Sequence, residues 1–348
     1  QKQGVVEGYT VVVGGGLGMT FGKLETYPRL ASPLFFIRPE HALAAAKAIV
    51  SVERDFGNRE DRKLSRLKYL IDSRGLDWFR EEVIARMDGI KVDMPRVLRF
   101  RTMMDLLGWH EHGDGRWYCG VRIDGGRLND FEHVKYRSGI RALAERFQCE
   151  MRFTANHNIL FCGLNESDRD EFDRIMAEYG IPQYDQYAVA RRYSMSCVSL
   201  PTCSLGLAES ERIFEGVMDK IEAILRELNL EDEAILFRLS GCPNGCSRPY
   251  NADFGFVGRA PGKYALYVGG SYVGDRLAQL EERQVELDEI PNRVRYYLEE
   301  FTLKRQFGEM FSDYWARTRR RREYDKVSHQ FHLAPDVPGQ ANAMTQGL

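Results

Sequence analysis

The sequence has 348 residues, of which 43% are hydrophobic, 29% charged and 11% aromatic, so its length allows two or three soluble globular domains. A formal net charge of −2 disfavours a general nucleic-acid binder and a membrane-surface protein. No apolar run approaches the roughly 18 residues of a spanning helix, and no signal-peptide pattern opens the chain, so we expect neither a membrane protein nor a secreted one. Seven cysteines, an odd number at low density, favour a reducing, cytoplasmic compartment over a disulfide scaffold.

The first third of the chain predicts a strand, a glycine turn and a set of helices. A β-rich run over 8–13 ends in a glycine cluster at 14–18. The cluster fits neither the Rossmann nor the Walker A pattern, because Phe21 and Leu24 stand at required positions. We expect a plain tight turn or a turn that touches a ligand. Helical periodicity follows at about 40–55, 62–73 and 77–87.

The segment 94–116 holds one proline and three glycines, which predict a domain boundary near residue 108. A strand–helix–strand–strand–helix pattern comes next. Its strands are predicted near 117–123, 150–154 and 158–162, and its helices near 139–147 and 166–179. A third unit begins near residue 187, and the tail from 334 has a composition typical of a mobile segment.

One sequence repeat occurs in two distant parts of the chain. The run from Tyr9 to Gly18 is echoed by the run from Tyr264 to Gly274, and each predicts a strand that leads into a glycine turn. The two runs indicate either two ordinary strand–turn units or a duplicated domain whose turns face a shared ligand.

Four of the cysteines form two spaced pairs, Cys197 with Cys203 and Cys242 with Cys246. The residues between the pairs predict a long amphipathic helix, a polar turn and a buried strand over 234–239. A helix of about 20 residues advances about 30 Å and the strand returns about 25 Å, so the two pairs can converge. Four buried thiolates that meet would need an ion. We interpret the other cysteines, Cys119, Cys149 and Cys162, as small buried residues.

The spacing favours an iron–sulfur cluster as that ion. Structural zinc sites prefer C-x2-4-C pairs in small loop-rich modules, whereas four cysteines suit a cubane cluster. Zinc and a coincidental spacing both stay open on the spacing alone.

At these residues the chain resembles sulfite reductase hemoproteins of the assimilatory sulfite and nitrite reductase family. The resemblance lies in the run from Ser194 to Cys203 and the run from Ser240 to Pro249. It extends, in the family's order, to the segments 13–17, 54–59, 152–158 and 258–262. It covers the chain to about residue 330, and it is strongest in the paired cysteine motifs.

The resemblance implies the ligands of two cofactors. Cys197, Cys203, Cys242 and Cys246 would bind a [4Fe-4S] cluster, and Cys246 would also bridge to the iron of siroheme as its axial ligand. Asn244 would lie close to the porphyrin. The segment that contains Thr154, Asn156, His157 and Asn158 resembles a family strand that contacts siroheme, with His157 where relatives often have glutamine.

The implied reaction is the six-electron reduction of sulfite to sulfide in sulfate assimilation and cysteine biosynthesis. The implied partners are sulfite and an electron donor, either a flavoprotein that uses NADPH or ferredoxin; no nucleic acid or membrane is expected. In relatives, the lysines and arginines that contact substrate and siroheme precede the segment that begins here at Gln1. We therefore expect a C-terminal part of such an enzyme, incomplete for turnover alone.

Two other functions remain as alternatives. An assimilatory nitrite reductase would share the fold and cofactors, and a non-catalytic domain stapled by a metal would share the cysteines. The run from Arg317 to Arg322 is either a solvated helix face among acidic residues or a docking patch for the donor.

The predicted fold is α+β, of the sulfite/nitrite reductase hemoprotein type, with duplicated α/β domains and a ferredoxin-like half-domain. We predict a truncated α/β domain of the first repeat over 1–108 and the half-domain over 109–184. A cluster- and siroheme-binding domain is predicted over 185–333, followed by the mobile tail over 334–348.

Overall fold

The computed structural model describes residues 5–319, except residues 24, 97–99 and 101. The chain divides into a first unit up to residue 101 and a second unit from residue 102. The predicted tail over 334–348 and the last three arginines of the run from Arg317 to Arg322 lie outside the described residues. No helix in the described part of the chain is long and apolar enough to cross a membrane.

The first unit pairs two antiparallel strands with three helices. Strand β1 (Tyr9–Val13) pairs with β2 (Ser32–Ile37), and the helices are α1 (Ala42–Phe56), α2 (Leu67–Arg74) and α3 (Leu76–Ala85). The core lies between the strands and the helices. Its most buried members include Leu34, Phe35, Val52, Phe79 and Val83.

The glycine turn after β1 wraps around the ammonium group of Lys68. This side chain is only 1% exposed and donates to the carbonyl oxygens of Gly16 (2.9 Å), Gly18 (3.0 Å) and Tyr27. Burial lowers the pKa of Lys68 to about 8. The carbonyls of Gly16 and Gly18 are thus occupied by a side chain of α2.

The second unit begins with a four-stranded antiparallel sheet in the order β3-β4-β6-β5, on which two helices pack. The strands are β3 (Gly108–Glu111), β4 (Trp117–Val121), β5 (Glu150–Phe153) and β6 (Ile159–Leu164), and the helices are α4 (Tyr136–Phe147) and α5 (Arg169–Glu178). Strand β3 was not predicted, because it lies in the glycine-rich segment interpreted as a boundary. The predicted domain boundaries at 108 and 184 stay predictions.

A five-stranded mixed sheet in the order β7-β8-β9-β10-β11 forms the rest of the second unit. After α6 (Val189–Tyr193), the strands are β7 (Met195–Ser196), β8 (Phe237–Ser240), β9 (Phe254–Ala260), β10 (Lys263–Val268) and β11 (Gln279–Glu286). The helices α7 (Glu211–Glu227), α8 (Ile290–Lys304) and α9 (Phe311–Thr318) pack on it through a large apolar core. Strands β7, β8 and β9 run parallel.

Both copies of the internal repeat form a strand that ends in a glycine with positive φ. Strand β1 is followed by Gly14 (φ 71°) and β10 by Gly269 (φ 88°). Their pairing differs, since β1 pairs with β2 alone while β10 lies between β9 and β11. The duplication stays a prediction.

Candidate functional site

The two cysteine pairs follow two neighbouring parallel strands. Cys197 comes directly after β7, and Cys242 follows the end of β8 with only Gly241 between them. The backbone N–H of Cys197 donates to the carbonyl of Leu239 at 3.0 Å. Because parallel strands present their carboxyl ends at the same edge of a sheet, both loops leave the sheet side by side, where ligands of such sheets commonly bind.

The first cysteine loop is held against Gly241. The N–H groups of Leu207 and Ala208 donate to the carbonyl of Gly241 at 2.9 and 3.0 Å. Within the loop, Ser199 Oγ donates to the Ala208 carbonyl at 2.6 Å, and the Cys203 N–H donates to the Ser199 carbonyl at 2.7 Å. These bonds fold the loop back, so that Cys203 returns toward the start of the second pair.

The four thiols lie within electrostatic range of one another. Burial raises the pKa of the Cys242 thiol, and the other three cysteines of the two pairs raise it further. Burial also raises the pKa of Cys246, as do Cys197 and Cys203. All four are free thiols, Cys197 and Cys242 being buried, Cys203 half-buried and Cys246 exposed. The structure therefore brings together the four cysteines that the sequence singled out.

Backbone N–H groups and a helix end favour thiolates at this place. The Gly241 N–H donates to Cys197 Sγ at 3.2 Å, and the Asn244 N–H acts to lower the pKa of Cys242. Helix α7 begins beside Cys197, because its first residue, Glu211, donates its N–H to the Cys197 carbonyl at 3.1 Å. The positive end of the helix dipole then faces a loop that carries sulfur ligands.

The arrangement fits a cluster better than one metal ion. Among the described residues, no three His, Cys, Asp or Glu side chains are placed to hold a single ion. Zinc–sulfur bonds of about 2.3 Å would require zinc-binding sulfurs within about 4 Å of one another. A cubane cluster supplies its own irons and sulfides, so it joins cysteines that are spaced more widely.

The loop between Cys242 and Cys246 is shaped by a glycine and a tyrosine. Gly245 has a φ of 63°, and a Cβ there would lie 2.6 Å from the ring of Tyr250. Tyr250 Oη donates to the Pro243 carbonyl at 2.8 Å. These contacts turn the loop so that Cys246 is exposed and Asn244, beside it, is half-buried.

The polar residues of the predicted siroheme segment surround the carboxylate of Asp105. Thr154 Oγ1 donates to it, as do the side-chain amides of Asn156 (2.9 Å) and Asn158 (2.8 Å). These groups are thus engaged within the protein. The role of Asp105 could not be predicted from the sequence. It lies in the segment interpreted as a boundary, and no local pattern links it to a turn about 50 residues away.

Asn156 also links this turn to the second cysteine loop, since its Oδ1 accepts a hydrogen bond from Arg248 Nη2. Arg248 lies two residues after Cys246, within the run that carries the resemblance. Its role was not predicted.

His157 lines an open cleft of about 590 Å³, as do Thr154 and Asn158. It has a φ of 68° and packs against Gly126. Burial lowers the pKa of His157, and the nearby guanidinium groups of Arg248 and Arg238 lower it further. These effects favour the neutral form of the ring. The cleft is also lined by Arg127, which pairs with Glu211 at 2.6 Å, and by Val198, next to Cys197.

The arginine run near the end of the described chain is ion-paired where it is described. Arg317 donates to Glu309 at 2.6 and 2.7 Å, and Arg319 donates to Glu300 at 2.5 Å. Arg317 is exposed on α9, whereas Arg319, just after that helix, is half-buried and lies over the ring of Trp315.

Two family models match the chain. One described as the nitrite and sulphite reductase 4Fe-4S domain matches residues 1–91, and one described as the nitrite/sulfite reductase ferredoxin-like half domain matches residues 110–179. The first matched segment holds none of the seven cysteines. All four candidate ligands lie beyond both matched segments.

Curated relatives match most of the chain. It is 40% identical over 310 residues to the sulfite reductase (NADPH) hemoprotein beta-component of Lysinibacillus sphaericus, covering 89% of this chain and 54% of that protein. It is 42% identical over 317 residues to the protein of that name from Methylobacterium nodulans, covering 91% and 52%. The chain thus spans about half the length of the curated relatives it matches.

A solved structure shares the fold. The Mycobacterium tuberculosis NirA protein matches with a TM-score of 0.76 at 23% identity, over 94% of this chain and 58% of that one. This likeness concerns the fold alone. Together with the ferredoxin-like half-domain model, it confirms the predicted α+β fold.

Proposed function

The chain belongs to the sulfite and nitrite reductase family, and from that premise we propose that it serves the six-electron reduction of sulfite to sulfide. The observation that supports this most is the meeting of two cysteine loops at the carboxyl edge of β7 and β8. Members of this family use a [4Fe-4S] cluster and siroheme, and the four gathered thiols give this chain a donor set of the right kind and number.

In this proposal Cys197, Cys203, Cys242 and Cys246 hold the cluster. When bound, the cluster and siroheme supply the redox chemistry, and the protein binds and orients them and excludes water. The N–H groups of Gly241 and Asn244 direct partial positive charge at the sulfurs of Cys197 and Cys242, which favours the thiolate form and opposes the effect of burial. Cys246, the exposed member, is the ligand proposed to be shared with siroheme.

Siroheme is proposed to contact Asn244 and the turn that contains His157. Thr154, Asn156 and Asn158 act indirectly, because their polar groups are occupied by Asp105 and fix the turn that presents His157. A neutral imidazole there can accept or donate a hydrogen bond without adding charge.

Sulfite is favoured over nitrite as the substrate, since the curated relatives at about 40% identity are named as sulfite reductases. Their names also favour an electron donor that draws on NADPH. A cytoplasmic location belongs to the same proposal, supported by seven cysteines that are all free.

Metal content and colour of the anaerobically purified chain test this function. We expect about four irons and four sulfides per chain, lost in Cys246→Ser and retained in Cys149→Ser, a matched change at a half-buried thiol outside the two pairs. A Soret band would show that siroheme is retained as well. One zinc without labile sulfide would contradict the proposal and leave a structural metal domain.

A further inference from the structure

One fully buried cation lies next to the cysteine loops. Arg238, in the middle of β8, is 0% exposed. Its Nη1 donates to the Ser247 carbonyl and contacts Met195 Sδ, both at 3.0 Å, while Nη2 lies 3.7 Å from Met103 Sδ. Its Nε is buried and has no hydrogen-bond partner among the described residues. The guanidinium is thus surrounded mainly by sulfur and carbonyl groups.

A second arginine increases the positive charge at this place. Arg248, which is half-buried, donates to Asn156 Oδ1 and approaches Met195 Sδ at 3.4 Å. No described carboxylate lies within ion-pairing distance of Arg238 or Arg248, although Asp105 and Asp253 act on Arg238 from further away. By contrast, Arg122, which is also buried, is paired with both Asp124 and Glu215.

A buried charge without a partner is costly, because it has lost its hydration and gained no opposite charge. Burial and the charge of Arg248 lower the pKa of Arg238 to about 9, so the guanidinium remains protonated at neutral pH. A fold that retains such a cation offsets it with a negative charge, and the described carboxylates do not supply one at contact distance.

The geometry points to the cysteine site as the source of that negative charge. Strand β8 leads from Arg238 through Ser240 and Gly241 into Cys242, and Ser247, whose carbonyl Arg238 binds, directly follows Cys246. Arg238 therefore contacts the end of the loop that its own strand begins. Four thiolates outweigh the positive charge of a cluster core, and each added electron makes the site more negative.

We propose that Arg238, assisted by Arg248, is a positioning residue that supplies the buried positive charge stabilising the reduced cluster and thereby raises its reduction potential. This inference rests on the proposed function, since it requires a cluster at the four cysteines. A purely structural role would need only the hydrogen bond to Ser247 and would leave the potential unchanged.

The test compares Arg238→Met, which removes the charge at similar length, with Arg238→Lys, which keeps it. The midpoint potential of the cluster is measured by an anaerobic redox titration followed by electron paramagnetic resonance. Loss of the charge should make one-electron reduction about tenfold less favourable, a decrease of about 59 mV. In Arg238→Lys, the equilibrium constant for one-electron reduction should stay within about twofold of that of the unaltered chain. The same is expected of Met103→Leu, which changes a packing contact of the same guanidinium but no charge.

The outcomes separate this inference from the proposed function. An unaltered chain without iron and sulfide would refute the function, and the inference with it. A cluster-containing Arg238→Met protein with an unchanged potential would overturn the inference alone. If Arg238→Met binds no iron, the same comparison is made with Arg248→Met and Arg248→Lys at a half-buried side chain. Equal midpoint potentials in Arg248→Met and Arg248→Lys would also overturn the inference.

Discussion

The two cysteine loops meet at Gly241. Glycine is required here because there is no room for a side chain, not because of the backbone conformation. A Cβ at this position would lie 1.6 Å from Ser199 Oγ and 2.5 Å from the Ala208 carbonyl oxygen. Both of these atoms belong to the loop that carries Cys197 and Cys203. A single methyl group would therefore push one cysteine loop away from the other.

We expect Gly241→Ala to lower the free energy of unfolding by about 3 kcal/mol through overpacking, and to reduce iron content per chain. Gly216→Ala is the matched control, because Gly216 lies in α7 with nothing within 4 Å of its added Cβ. That change should stabilise the chain by about 0.5–1 kcal/mol through better helix propensity. Urea unfolding measures the change in stability of both variants. Equal stability of the two variants would show that the loops tolerate separation.

At the scale of elements, Asp253 joins the parallel strands at the ends opposite the cysteines. It lies just before β9, it is 1% exposed, and its carboxylate accepts the N–H of Leu236, just before β8, at 2.9 Å. Burial raises the pKa of Asp253 from 3.8 to about 7, despite the opposing effect of that N–H. The folded state therefore prefers the protonated carboxyl.

This preference predicts a pH dependence with a definite sign. The folded-state pKa lies above the unfolded value, so the stabilising contribution is complete below about pH 4 and is lost as the pH rises to about 7. Asp253→Asn keeps an acceptor for Leu236 and removes the titration. The variant should gain in stability over the unaltered chain across this interval, by up to about 4 kcal/mol. Urea midpoints between pH 4 and 8 measure the difference, and a constant difference would contradict it.

Over the whole molecule, the candidate cofactor ligands are confined to one unit. The first unit contains no cysteine, while all four paired cysteines lie in the second. Because metal binding is coupled to the folding of the groups that bind it, iron should stabilise the second unit selectively.

We expect anaerobic removal of iron to speed amide hydrogen exchange over residues 195–250 at least about tenfold, a loss of about 1.4 kcal/mol in local stability. Exchange over residues 5–96 should not change. Mass-spectrometric hydrogen exchange of the chain with and without iron measures this, and Cys246→Ser should match the iron-free state. A uniform change in both units would contradict it.

The meeting of the cysteine loops could be predicted from the sequence, because it depends on the local periodicity and the lengths of the helix and strand between the two pairs. The predicted helix and strand exist as α7 and β8, and their combined path returns the chain to its start. In α7, Phe214 and Met218 are buried, whereas Ile213 and Val217 are only partly buried.

Contacts between residues far apart in the chain could not be predicted. Asp105 meets Thr154 across 49 positions, and Arg248 meets Asn156 across 92. For Arg238 a signal did exist, because a lone arginine inside an apolar strand is rarely buried without a reason. The strand was interpreted by its apolar residues alone.

The ammonium of Lys68 has a consequence for the first unit. Three carbonyl oxygens that converge on one point repel one another and would ordinarily call for a dissolved cation, which is lost on dilution or dialysis. Here the cation is covalently attached to α2, so its local concentration is fixed by the chain itself. We therefore expect the glycine turn to keep its shape when salt is changed or metals are chelated, as long as the pH stays below the Lys68 pKa of about 8.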